Sequence, residues 1–214
     1  MEDMRAAAGL PRLILIGDRF TESKRWNDVL EASEHVPWVH VRDHDASEEA
    51  FRAQAVELSE HVRAVAPATM ISINGRLDVA EELETGFHTG AEGVPVSEAR
   101  KRLGPEAIVG FSAHYLTEAK AALSDGADYV FFSPIFASPS KPGYVGVGVE
   151  ELREFCARMG NDVPVYAVGG LTPERVGPCL EAGAYGAAVL SGILHQDDFG
   201  SAAEAFLDAL QKTV

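Results

Sequence analysis

Short apolar, β-branched runs alternate along this chain with longer stretches of helical period. The runs are LILIGD (13–18), VPWVHVR (36–42), ATMISIN (68–74), GFHTG (86–90), AIVGFSA (107–113), DYVFFSP (128–134), VPVYAVGG (163–170) and GAAVLSG (186–192). Between them, residues 22–34, 46–64, 77–84, 96–103, 117–124, 149–159, 173–181 and 201–212 set charge on one side and Ala, Leu or Val on the other, as helices covering a sheet do. Such βα alternation predicts a parallel sheet, and eight units are the number that closes a (β/α)8 TIM barrel. An open, doubly wound sheet is the other architecture compatible with the alternation. Ser97, Thr117 and Thr172, each followed closely by Glu or Pro, predict helix N-caps. The segments 118–136 and 174–194 echo each other as helix, small-residue turn and strand, and Gly126 and Gly183 sit where a helix end calls for the left-handed conformation. No linker, low-complexity tract or charge block divides the sequence. It is therefore read as one α/β domain over residues 1–214, with a barrel core at about 12–195.

Composition narrows the partners. A hydrophobic fraction of 46% suits a packed globular protein, and 18 Lys and Arg against 33 Asp and Glu give a net charge of −15. That field repels nucleic-acid backbones, although a local site built from amides and a few cations can still hold a small anion. The two cysteines, Cys156 and Cys179, have no CxxC or Cys/His ligand spacing, so neither a disulfide framework nor a zinc site is expected. The first 17 residues lack a signal-peptide pattern, and no apolar segment approaches the roughly 20 residues that span a bilayer. A cytoplasmic protein without a membrane partner is expected.

Candidate chemistry gathers at the strand ends, where barrels of this class place their sites. Strand seven ends in Val168-Gly169-Gly170 and strand eight in Leu190-Ser191-Gly192, turns whose bare backbone lets amides approach a phosphate. Strand two ends His40-Val41-Arg42-Asp43-His44-Asp45, and period-two alternation sets His40, Arg42 and His44 on one face and Asp43 and Asp45 on the other. Three actual or potential cations on one face suit an anion clamp or acid–base work, whereas Arg42 between the histidines argues against a metal site. His88, flanked by Gly86 and Gly90, is a candidate site residue. His114, after Ser112 on strand five, reads equally as a structural or a site residue. The loop after strand six carries Ser138, Ser140 and Lys141 ahead of a Gly-rich tail, a composition that suits a phosphate-binding lid.

Taken together, these motifs resemble the thiamine phosphate synthase and TenI family over roughly residues 12–195. The most specific stretch is GFSAHYLTEAKAALSDGADYVFFSPIFASPSK (110–141), followed by VGGLTPERV and VLSGI. The resemblance implies that Gly170, Leu190 and Ser191, with neighbouring Gly169 and Gly192, hold the phosphate of a thiazole. It also implies that Asn74, His88, Ser112, Ser138, Ser140, Lys141 and Arg42 line the rest of the site. In the synthases such a site takes hydroxymethylpyrimidine pyrophosphate, and Mg²⁺ and the lysine neutralise the departing pyrophosphate.

Three departures bear on the reaction. Synthases carry Gln-x-Arg-x-Lys where this chain has His40-Val41-Arg42-Asp43-His44. They carry Asn-Asp where it has Asn74-Gly75, and His-x-Gly-Gln-x-Asp where it has His88-Thr89-Gly90-Ala91-Glu92-Gly93. Both aspartates that would bind Mg²⁺ are thus glycine, with Glu92 or Asp78 as imperfect substitutes, so Mg²⁺ is expected only if the chain is a synthase. TenI-like thiazole tautomerases need an acid and a base but no departing pyrophosphate. The histidine that they place after strand six is Pro134 here, and His40 and His44 are the proposed replacements, with Arg42 holding a carboxylate. The expectation is a tautomerase acting on a phosphorylated thiazole. The alternatives are an active synthase and a non-catalytic binder of thiazole phosphate or thiamine phosphate. A Schiff-base aldolase using Lys141 is disfavoured, because a polar loop does not depress a lysine pKa. A homodimer is a family expectation.

Overall fold

The computed structural model describes residues 9–138, 143, 145–160 and 163–212. Eight parallel strands, β1 (Leu13–Asp18), β2 (Trp38–Arg42), β3 (Met70–Asn74), β4 (Gly86–Gly90), β5 (Val109–Ala113), β6 (Tyr129–Phe132), β7 (Val165–Val168) and β8 (Gly186–Val189), pair in sequence order. The sheet closes where Leu13, Ile14 and Leu15 of β1 register with Ala187, Ala188 and Val189 of β8. The chain is therefore a (β/α)8 TIM barrel, and the open-sheet alternative falls away.

Strand alternation builds two hydrophobic layers. Outward residues such as Leu13, Leu15, Val39, Val41, Phe87, Val109 and Val165 pack under the helices. These are α1 (Ser23–Ser33), α2 (Glu48–Val65), α3 (Leu77–Glu82), α4 (Val96–Leu103), α5 (Leu116–Ser124), α6 (Gly148–Met159), α7 (Pro173–Glu181), the short α8 (Ser191–Leu194) and α9 (Phe199–Gln211). Inward residues Ile14, Ile16, Trp38, Tyr129, Phe131, Tyr166 and Ala188 fill the barrel. Large rings demand small neighbours there: a Cβ on Gly110 would stand 2.0 Å from Cζ of Tyr129 and 2.5 Å from Nδ1 of His88. Gly110 is the space those two rings occupy.

Several boundaries differ from the pattern-based expectation. Strand eight stops at Val189 rather than 192, and Ser191–Leu194 turns into α8, because an apolar run before Ser-Gly looks the same in strand or helix. Ser97 and Thr117 do not cap. The α4 helix starts after Pro95 and α5 after Tyr115, where the Glu118 carboxylate accepts from the amides of His114 (2.8 Å) and Tyr115 (3.2 Å). Ser47 and Asp198, in contrast, cap α2 and α9 through their own side chains. No helix among the described residues is long and apolar enough to cross a membrane.

Candidate active site

Two cavities open at the C-terminal ends of the strands and share a wall. A cup of about 100 Å³ lies between the exits of β1, β6, β7 and β8, lined by Ile16, Ser133, Pro134, Ser138 and the turns 168–171 and 188–192. A wider pocket of about 760 Å³ covers the exits of β2 to β5, lined by Asp43, His44, Asn74, Arg76, Glu92, Ser112 and His114 among others. Arg42 and Ser133 line both. Arg42 Nε donates to Asp18 Oδ1 at 2.7 Å, so β1 fixes the arm that carries this guanidinium to the junction.

Backbone packing shapes the cup. Ile135 and Phe136 donate their amides to the carbonyls of Val168 (2.9 Å) and Gly169 (3.1 Å), laying the start of the loop after β6 across the turn after β7. Gly170 has φ +61°, and a Cβ there would meet the Ala137 carbonyl at 2.3 Å, so only glycine satisfies both the turn and the crossing. Arg175 of α7 clasps the crossing, donating to the Gly170 carbonyl and lying 4.6 Å from the ring centre of Phe136. On the opposite wall α8 begins at Ser191, and its first backbone bonds run from Ile193 and Leu194 to the Leu190 carbonyl. The amides of Ser191 and Gly192 precede those bonds, as donors suited to an anion do.

Beneath the wider pocket lies a buried polar chain. His88 Nε2 pairs with Ser112 Oγ at 2.8 Å and its Nδ1 with the Tyr129 hydroxyl at 3.0 Å. His40 Nδ1 pairs with Ser72 Oγ at 2.9 Å, and Trp38 Nε1 donates to the same oxygen at 2.9 Å. The two imidazoles meet edge to face with ring centres 4.9 Å apart. Burial, together with the positive Arg42, pushes the His88 pKa down to about 3. Burial, His88 and Arg42 hold His40 well below its ordinary 6.5. Both are neutral in the folded protein at neutral pH, and either tautomer of His88 suits its two hydroxyl partners.

The residues singled out in the sequence divide by depth. Gly169, Gly170, Leu190, Ser191, Gly192 and Ser138 line the cup; Asn74, Ser112 and His44 line the wider pocket; Arg42 serves both. His40 is corrected: at 2% exposure it belongs to the barrel interior and lines neither cavity, so it does not stand beside His44 at the mouth. His88, fully buried, reaches the pocket only through Ser112. Ser140 and Lys141 lie outside the described residues. Pattern reading passed over Arg76 and Thr89 in the wide pocket and the Arg175 clasp. Arg76 follows directly on the Asn74-Gly75 motif, a signal that could have found it.

The profile of the family described as thiamine monophosphate synthase (TMP-TENI) matches residues 14–193. This chain belongs to the thiamine monophosphate synthase family. It is 36% identical over 190 residues to a putative thiamine-phosphate synthase 2 of Aquifex aeolicus, covering 86% of this chain and 98% of that protein. It is 30% identical over 216 residues to a thiamine-phosphate synthase of Gloeobacter violaceus, covering 98% of this chain but only 60% of the longer relative. Among solved structures, a thiamine phosphate pyrophosphorylase from Pyrococcus furiosus superposes with a TM-score of 0.80 at 25% identity, over 95% of this chain and 96% of that one.

The pocket residues of this family member do not fit a Mg²⁺ ion. Hard cations need several oxygen ligands, mostly carboxylates. Burial would raise the Asp43 pKa, but bonds from the Thr21 hydroxyl and the amides of Asp45, Thr21 and Ala46 outweigh it and hold the pKa low, and they occupy both carboxylate oxygens. Asp78 lines neither cavity and pairs with Arg102 at 2.8 Å, so it cannot stand in as a ligand. Among the described pocket residues Glu92 is left, and beside it Gly93 offers no ligand; a side chain there would have to turn the Thr89 hydroxyl aside. Among the described residues no three His, Cys, Asp or Glu side chains come together as a metal-binding group.

Proposed function

We propose that this protein binds a thiazole phosphate with its phosphate in the cup and moves a proton on the bound ring without a metal, as a TenI-like thiazole tautomerase. The observation that carries the reading is the junction itself. A cup of backbone donors opens through Arg42 and Ser133 into a pocket that holds imidazoles and hydroxyls but, among the described residues, no carboxylate cage. The phosphate accepts from the amides and hydroxyl of the β7 and β8 turns. Arg42, steadied by Asp18, meets a carboxylate on the ring. Isomerisation then needs only that a basic side chain take a proton from one carbon and return it to another, so atoms and charge balance within the ligand.

The test is conversion of the non-aromatic thiazole carboxylate phosphate to its aromatic tautomer by purified protein, followed by ultraviolet absorbance with EDTA present. Steady turnover supports the reading. Binding without turnover leaves a non-catalytic binder.

The names of the relatives favour a second reading, an active thiamine phosphate synthase. Thiamine phosphate formed from hydroxymethylpyrimidine pyrophosphate and thiazole phosphate, dependent on added Mg²⁺, would establish it and refute the tautomerase.

A further inference from the structure

The tautomerase reading requires a base at the cavity junction, and neither buried histidine lies there. We infer that His114 is the catalytic base, acting through Nε2; the inference rests on the tautomerase reading.

The case begins with one hydrogen bond. His114 Nδ1 lies 2.9 Å from the backbone carbonyl of Ser133. A carbonyl only accepts, so Nδ1 carries the hydrogen and the neutral ring presents its lone pair at Nε2. The histidine tautomer is thus fixed by the main chain, in the form that a general base requires.

Position supports the same role. Ser133 lines both cavities and His114 lines the wider one, so the imidazole is tethered to the shared wall. The tether point is the residue before Pro134, so a β5 histidine reaches the exit of β6. The His114 amide donates to Glu118 Oε2 at 2.8 Å, pinning the backbone at the start of α5. The ring is exposed, and His88, one strand away, is buried and held neutral down to about pH 3. His44, the other exposed imidazole lining the pocket, has no hydrogen bond orienting its ring among the described residues. Among the described residues, the charged or titratable groups around the pocket are Arg42, Asp43, His44, Arg76 and Glu92, with Glu118 at the head of α5.

In the reaction, Nε2 takes a carbon-bound proton of the non-aromatic ring, and the electron pair delocalises into the ring system. The imidazolium returns a proton to a second carbon and is neutral again. Nothing is oxidised or lost.

The experiment pairs kinetics with binding in wild type, His114→Gln and His114→Ala. The expected result is a fall in kcat of about a hundredfold or more in both variants. The dissociation constant for thiazole phosphate should change less than about threefold, since the phosphate is held in the cup. Added imidazole should restore turnover to His114→Ala, which a purely structural histidine would not allow. A His114→Gln protein with kcat within about threefold of wild type would overturn the assignment while leaving the tautomerase reading intact. A wild type that neither converts the tautomer nor exchanges its carbon-bound hydrogen with D₂O would instead sink that reading, and the base with it. Long-range proton–nitrogen NMR of the wild type needs no variant to fold: a protonated Nδ1 is expected, and an Nε2–H tautomer would overturn the inference.

Discussion

The cup and the wider pocket share a wall but are made of different material. The cup is written in backbone: two turns, one short helix and a crossing loop, with glycine at the point where a side chain would strike the Ala137 carbonyl. The pocket is written in side chains, above a floor of buried imidazoles, hydroxyls and aromatic rings. Backbone architecture tolerates few substitutions, so a cup of this kind is expected to hold its residues more tightly than the pocket does. Side chains can be exchanged singly, and there Gly75 and Gly93 stand where the family resemblance implies Mg²⁺-binding aspartates.

The largest expected effect lies in the pocket floor. In the unfolded chain His40 and His88 take up protons near pH 6.5, whereas burial keeps them neutral in the folded state, His88 down to about pH 3. Acid therefore favours unfolding: stability is complete above pH 6.5 and falls below it by about 1.4 kcal/mol per pH unit for His88, with His40 acting in the same direction. Urea unfolding at pH 5 should show a stability lower than at pH 7.5 by about 2 kcal/mol from His88, with a further loss from His40, and a His40→Gln/His88→Gln protein should lose most of that difference.

Next is the cup. Gly170→Ala must relieve a 2.3 Å contact with the Ala137 carbonyl at φ +61°. It is expected to cost about 3 kcal/mol in chemical denaturation and to abolish saturable thiazole phosphate binding in calorimetry. A variant that binds normally would show that the turn is looser than its packing implies.

Arg42→Ala should raise the dissociation constant about thirtyfold, and Arg42→Lys should recover only part, because an ammonium cannot both pair with Asp18 and reach the junction as a guanidinium does. Arg175→Ala acts from behind the cup and should weaken binding about fivefold, mostly in KM. Smallest of all, EDTA should change turnover by less than about twofold, since no carboxylate cage is present among the described residues.

The fold was legible because apolar alternation and helix period agree at every unit; β1 and β4 fall on the residues expected. The cup was legible too, since Gly-Gly and Ser-Gly after the last two strands carry a backbone meaning. Depth was not. Period-two alternation correctly puts His40 and Arg42 on one face of β2, but it says nothing of how far along the barrel axis each lies, and one turn of the pleat separates a buried floor from an open junction. The Asp78–Arg102 pair was hidden for another reason: its partners are 24 positions apart and meet only through the packing of α3 on α4.

Arg42 is a single positive charge at the boundary of two chambers. A ligand with an anionic group in each can share it across its own length and gain from both ends. Two separate small anions, one per chamber, must compete for it, so each weakens the other by the same factor. The barrel mouth is thereby tuned to count connected charges: it rewards one molecule of the right span over any mixture of its fragments.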